Sequence, residues 1–311
     1  MSEGFVARNR GIIAFAVTTL VWGSTWLVIT GQLSTVPPAW SVTWRFALAC
    51  AGMFLLAAVR REPLLLSARG LLLAGVVGFF QFFANFQLVY QAERYVTSGL
   101  VAVCFALLIV PNALFGRLFV GGTLTRRFLL GSLIAIGGIA LLMLHEYHAA
   151  TLGGSVLLGL GLTTGAILSA SVANVMQSSE AARQHSIVVL LAWAMLTGTV
   201  GDAAYAWATT GPPVLDTSPA YLLGVAYLGL VGTVLTFPLY SLLLRDWGPG
   251  RAAYNGVLIP VVAMALSTLF EDYVWTKLAL GGAVLVMAGL LVALGGRQQR
   301  GEALAVTGEA R

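Results

Sequence analysis

The sequence predicts an all-α integral membrane protein of ten transmembrane helices, arranged as two inverted five-helix repeats with both termini cytoplasmic. Three observations predict it. Hydrophobic residues make up 59% of the 311-residue chain and charged ones only 9%, against roughly a quarter charged in soluble domains. With a mean hydropathy of +0.89, lipid must be the solvent for most of the surface. Next, a window of about 20 residues finds ten apolar segments with short connections. Finally, one passage is written twice: Pro111, Gly122, Thr125, Gly131 and Gly138 return as Pro260, Glu271, Thr276, Gly282 and Gly289. The offset is 149 at the prolines and 151 at the glycines, so the second loop is two residues longer.

The spans are 11–31, 39–59, 70–91, 95–119, 127–145, 153–176, 186–208, 219–243, 250–270 and 275–295. The first follows Arg8 and Arg10. It is longer than a signal-peptide core and no small-residue cleavage site follows it, so it is read as a retained helix. The second runs from Pro37-Pro38 to Arg60-Arg61, the third follows Arg69, the fourth ends near Arg117 and the fifth starts at Arg126-Arg127. The sixth ends before Arg183, the eighth before Arg245, the ninth begins by Arg251, and the tenth ends before Arg297. With the N-terminus inside, fourteen of the seventeen basic residues fall on the cytoplasmic side. Only Arg94 and Lys277 lie outside, with Arg45 within a span. The positive-inside rule therefore sets the orientation. Five helices per half force the second half to enter from the opposite face, giving an inverted repeat over 1–149 and 150–296. Residues 297–311 are read as a polar, disordered cytoplasmic tail. An inverted repeat is a common basis for alternating access, with a site between the halves.

Further residues carry a family resemblance. Trp22-Gly23-Ser24-Thr25-Trp26 opens helix 1's signature, Pro37-Pro38 followed by Arg45 makes a second, and the two Pro-to-Gly passages make a repeated core. Together, over about residues 10–295, the chain resembles a ten-helix EamA-type member of the drug/metabolite transporter superfamily. The resemblance implies a carrier in the bacterial inner membrane, with the aromatic amino-acid exporters the branch it is most similar to. Its partners would be the lipid bilayer and a small-molecule substrate, amino acids, with no cofactor. The family usually carries Glu after the fourth helix of each half. Here the second copy has Glu271 and the first has Gly122. Glu271 is expected to cap the next helix or tether the loop.

Polar groups in lipid-spanning helices are costly and face the bundle interior. Gln81 and Asn85 lie four apart in helix 3 and share a face with Gly78, beside the stripe Phe79, Phe83, Phe86 and Tyr90. Helix 6 brings Thr164, Ser171, Asn174 and Ser178, helix 8 brings Thr233, Thr236 and Tyr240, and helix 9 begins with Tyr254-Asn255. Trp22 and Thr25 come from helix 1. The expected cavity is aromatic and amide-lined: Trp22, Phe79, Phe83 and Tyr240 for a side chain, with Thr25, Gln81, Asn85, Asn174 and Asn255 for the polar end. The hydroxyls could equally bond their own backbone, and the phenylalanines could face lipid or core. Arg45, about 10 Å below the outer end at 1.5 Å per residue, either holds a substrate carboxylate or snorkels. Pro111 and Pro260 remove a helix hydrogen bond each at matching positions, as hinges or as static kinks.

Other classes fall away. The arginines form no stripe, so nucleic acid is not expected. Cys50 and Cys104 lie in apolar segments and read as small buried hydrophobes. His145-Glu146-Tyr147-His148 lacks the zincin spacing, so no metal is expected. There is no Walker loop or nucleophile elbow, and the protein is not expected to be an enzyme. No Asp or Glu falls deep in a predicted span: Glu93, Asp202 and Glu271 sit near outer ends. Proton relays in membranes use such groups, so facilitated diffusion is expected.

Overall fold

The computed structural model describes residues 2–120, 124–149, 153–240, 243 and 254–308. Among these every regular element is helical, as lipid demands of a chain that must satisfy its own backbone. The long helices are α1 (Ser2–Gln32), α2 (Pro38–Val59), α3 (Ala68–Ala92), α4 (Ser98–Phe119), α5 (Arg126–Ala149), α6 (Gly153–Ser178), α7 (Ile187–Thr210), α8 (Pro219–Tyr240), α9 (Asn255–Phe270) and α10 (Lys277–Gly308), with one short turn of helix at Glu180–Arg183 between α6 and α7. Among the described residues eight helices are long and apolar enough to cross a membrane; α9 is a shorter apolar helix. The predicted spans 127–145 and 250–270 fall on α5 and α9, with residues 250–253 outside the described ones.

The chain punctuates these helices in the expected currency. Pro38 and Pro219 open α2 and α8, where a missing N–H costs nothing. Ser67, Ser186 and Ser218 accept backbone N–H groups at the starts of α3, α7 and α8. The repeated threonines have the same task. Thr125 accepts the Phe128 N–H at the head of α5, and Thr276 accepts the Ala279 N–H at the head of α10, an N-cap in each case.

The repeated glycines meet one another. A Cβ built on Gly131 would lie 2.4 Å from the Gly289 carbonyl oxygen and the Ala293 nitrogen; one on Gly289 would lie 2.5 Å from the Gly131 oxygen. Gly138 and Gly282 face each other in the same way, at 2.6 and 2.7 Å from the opposite carbonyl. Residue 131 pairs with 289 and 138 with 282, so α5 and α10 cross antiparallel at backbone contact. That approach needs residues without side chains.

The helices that matter for the centre are α3 and α8. Each contains a stretch with i→i+5 hydrogen bonding, Gly78–Ala84 in α3 and Tyr227–Leu235 in α8. Their first residues are 149 apart, the offset of the prolines. In each stretch one backbone carbonyl also accepts a side-chain donor from the opposite half. The Trp22 indole of α1 donates to Gly232 O of α8 at 3.1 Å, and the Ser169 hydroxyl of α6 donates to Phe80 O of α3 at 2.8 Å. Trp22→Phe keeps the ring and removes the first bond. It should cost about 1 kcal/mol of stability, read as a lowered thermal unfolding midpoint in detergent.

Three expectations change here. The segment 297–308 continues α10 as helix to Gly308 rather than forming an irregular tail; its Arg, Gln, Glu, Ala and Leu are helix formers. The prolines are not equivalent. Pro111 follows a 3-10 turn at Ala106–Leu108, the place where its missing N–H would have bonded. Pro260 instead lies in the second turn of a continuous α9, its lost acceptor being the first-turn carbonyl of Gly256. Finally, a carboxylate does lie inside a span. Asp202 is fully buried in α7, eight residues before Thr210, about 12 Å from that end at 1.5 Å per residue. The ground for expecting uncoupled diffusion is thereby removed.

Candidate substrate site

An aromatic chain runs across the centre and joins the two halves. Trp22 of α1 meets Phe237 at 5.8 Å and Tyr240 at 5.2 Å between ring centroids, both on α8. Phe237 meets Phe82 of α3, and Phe82 meets Phe46 of α2 at 5.1 Å. Phe46 meets Phe86 at 4.8 Å. Trp26 of α1 packs on Phe105 of α4 at 5.0 Å. Phe46 and Phe82 are buried, whereas Trp22, Trp26, Phe86, Phe105, Phe237 and Tyr240 are only partly so. Such rings offer apolar area with defined edges and faces.

Polar atoms without partners accompany this chain. The Gln81 Oε1, the Asn85 Oδ1 and the Trp26 indole N–H are buried and make no hydrogen bond. The Asn85 amide N–H donates only to the Gln81 carbonyl, at 3.3 Å. Buried amides left half-satisfied are costly, and a polar ligand or water would complete them.

Arg45 closes one end. It is 3% exposed, and its guanidinium lies 4.4 Å from the Phe86 ring centroid and 5.2 Å from that of Phe46. On α3 the Tyr90 hydroxyl donates to Gln32 Oε1 at 3.1 Å. The Arg45 Nε and Nη1 are buried without a partner. A buried guanidinium with free donors is suited to an incoming carboxylate.

The EamA-like transporter family model matches residues 9–144 and again 157–295, which is most of the chain. The chain belongs to the EamA-like transporter family. It is 26% identical to the protein PagO of Salmonella typhimurium, over 91% of this chain and 90% of that one. It is also 26% identical to a probable amino-acid metabolite efflux pump of Escherichia coli, over 95% and 98%. It is 30% identical to the uncharacterized inner membrane transporter YedA of Escherichia coli, over 89% and 88%. A solved crystal structure of a protein superposes with a TM-score of 0.65 at 16% identity, covering 91% of this chain and 96% of that one; that likeness shows the fold.

Within this EamA-family chain the residues singled out by sequence divide into groups. Trp22, Tyr240 and Arg45 join the aromatic chain, and Gln81 and Asn85 lie on the i→i+5 stretch of α3 and just after it. Thr25 is buried and donates to the Trp22 carbonyl. Asn174 of α6 faces Asn112 of α4, amide to amide, at 3.5 Å. Asn255 is held by α1: its Nδ2 donates to Thr18 Oγ1 at 2.7 Å, and its Oδ1 accepts from Thr19. Phe79 and Phe83 lie apart from the aromatic chain. Phe79 is 51% exposed, and Phe83 packs against Tyr205. The reason is the wider turn in α3. The i→i+5 stretch covers Phe79, Phe82 and Phe83 and changes their angular spacing; Phe82 and, after it, Phe86 are the α3 rings that join the aromatic chain. Of the helix 6 hydroxyls, Thr164 and Ser178 bond their own backbone, while Ser171 is buried and unpartnered.

Pro260 has a different setting, at an apolar cavity of about 490 Å³ between α4, α9 and α10, lined also by Val103, Met264, Thr268 and Met287. This cavity is separate from the aromatic chain. Gly122 and the side chains of His145, Glu146, Tyr147 and His148 lie outside the described residues. Glu271 does act as a tether, but to the first half and not to the following helix. It accepts the Ser98 hydroxyl at 2.7 Å and the Ser98 N–H at 3.4 Å, at the head of α4. Glu93, Asp202 and their partners were passed over by sequence, because distance from a span's end does not report burial. Gln87 Nε2 donates to Asp202 Oδ1 at 2.8 Å across α3 and α7.

Proposed function

We propose that the protein exports amino acids with aromatic or large apolar side chains across the bacterial inner membrane by alternating access. Its framework would be ten spans in two inverted repeats, 1–149 and 150–296, with both termini cytoplasmic. The observation that carries the substrate class is an aromatic chain from α1, α2, α3 and α8, with the unpartnered Gln81, Asn85 and Arg45 groups next in sequence to its Phe82, Phe86 and Phe46. Rings would take the side chain, the amides the amino group, and Arg45 the carboxylate. The name of the Escherichia coli efflux-pump relative supports the same class. The reciprocal glycine contacts of α5 and α10, and the matched wide turns of α3 and α8, support the inverted arrangement. Rocking would pivot at these wide turns, whose carbonyls already bond to the opposite half, and at Pro111.

The test is counterflow in proteoliposomes loaded with unlabelled amino acids, with labelled Trp, Phe, Met, Thr and Glu outside. Uptake of Trp, Phe and Met above Thr and Glu is expected. Uptake of none of the five by folded protein would overturn the substrate class and move the search to nucleosides and amphipathic drugs.

A further inference from the structure

Four helix ends meet around one hydroxyl. Thr30 near the end of α1 places its Oγ1 3.0 Å from Glu93 Oε2, just after α3, and 3.1 Å from Glu271 Oε1, just after α9. The Trp26 carbonyl lies 3.4 Å away. A threonine hydroxyl has one proton to give and lone pairs to accept with. Two ionised carboxylates cannot both be bonded to it, and the like charges would repel. Both are bonded if one carboxyl brings its own proton, donates to Thr30, and Thr30 in turn donates to the other.

The surroundings decide which carboxyl that is. Glu271 already accepts the N–H and the hydroxyl of Ser98 at the head of α4, so it has donors of its own. Among the described residues Glu93 has no donor besides Thr30. It is 6% exposed and its Oε1 is buried without any partner. The other charged and titratable groups near it are few. Arg45 on α2 acts on it as a positive charge, but its Nε and Nη1 have no hydrogen-bond partner among the described residues; Tyr90 on α3 lies within range of the Glu93 charge as well. Arg94, next in sequence, donates to Gln91. Toward this end α1 adds Gln32 and α6 adds Gly159, neither of them titratable.

We propose that Glu93 is a proton-binding site, and that its proton holds the ends of α1, α3, α4 and α9 together as a latch on one face of the carrier. Opening breaks the Glu93 O–H bond and hands the proton to water. The two carboxylates are then left on one hydroxyl, and the end of α9 separates from those of α1 and α3. As a gate this rests on the carrier reading above; as a proton site it does not.

Infrared difference spectroscopy of the full chain in liposomes, titrated with pH, tests it. The wild type should show a protonated-carboxyl C=O band at neutral pH that is lost at alkaline pH. Glu93→Gln should lack that band, while Asp202→Asn should retain it. A band unaffected by Glu93→Gln overturns the site. If that variant does not fold, Thr30→Val takes its place. In the latch Thr30 accepts the Glu93 proton, so its loss takes a partner from the protonated carboxyl and the titration should move down by about one pH unit; an unmoved midpoint overturns the proposal. For the latch, nitroxide labels at Tyr95→Cys and Val274→Cys, with Cys50 and Cys104 replaced by Ala, should move apart as pH rises. The same pair in a Glu93→Gln background should not respond, and an equal response there overturns the latch. Neither readout uses a substrate, so a failed proton site and a failed substrate assignment are separable.

Discussion

Replacing Arg45 with Met is expected to weaken binding of amino-acid substrates by about tenfold to about 150-fold, the range of a charge-assisted hydrogen bond worth about 1.5–3 kcal/mol. The side chain has two separable parts. Its stem and guanidinium face lie against Phe46 and Phe86, a packing role that Met can largely take over. Its free Nε and Nη1 are what Met cannot supply. Arg45→Lys keeps the charge but loses the planar fork, and should fall between. The deciding comparison uses the amine analogue of a substrate, lacking only the carboxylate. Equal binding of that amine by wild type and Arg45→Met, with unequal binding of the amino acid, assigns the guanidinium to the carboxylate. Equal losses for both ligands would show that Arg45 only shapes the helix packing.

Gly131→Ala should destabilise the protein by about 3 kcal/mol, the upper end of overpacking costs. The added methyl would meet the Gly289 carbonyl and the Ala293 nitrogen at 2.4 Å. Both are backbone atoms and cannot rotate away, so α5 and α10 must part along their length. The contrast lies six residues on: a Cβ on Gly137 meets nothing within 4 Å. Gly137→Ala should leave stability unchanged or raise it by up to about 1 kcal/mol, the helix-propensity gain over glycine. Thermal unfolding in detergent reads both. Similar midpoints for the two variants would sink the claim that the α5–α10 crossing needs bare backbone. Gly131→Ala combined with Gly289→Ala should fall short of the sum, because once the helices part the second methyl finds room.

The glycine contrast shows how much the sequence carried. Gly131, Gly138, Gly282 and Gly289 stood out because they recur, and recurrence in an apolar chain is legible as architecture. The repeated threonines were legible too, and the structure gives them a cap at the head of each copy's last helix. The aromatic chain was only half readable. Trp22, Tyr240 and Phe86 join it, but with α3 read at 3.6 residues per turn Phe82 is not singled out, and Phe82 joins the chain while Phe79 and Phe83 do not. No residue type announces the wide turn of α3; within it the Phe80 carbonyl accepts Ser169 from a distant helix as well as the Asn85 N–H. The acidic groups failed for a related reason. Position along a span gives depth in the membrane but not burial between helices, so Asp202 and Glu93 looked like harmless end residues.

Composition, span length and duplication were determined by the sequence alone, because each depends on local residue chemistry and its period. They bring the chain to a helical membrane carrier of two related halves. Only the tertiary structure decided which faces turn inward, that Glu271 reaches across to Ser98 and Thr30, and that Glu93 shares that hydroxyl. These are contacts between residues as much as 241 positions apart. Helix phase and inter-helix approach set them, and neither is written in any single segment.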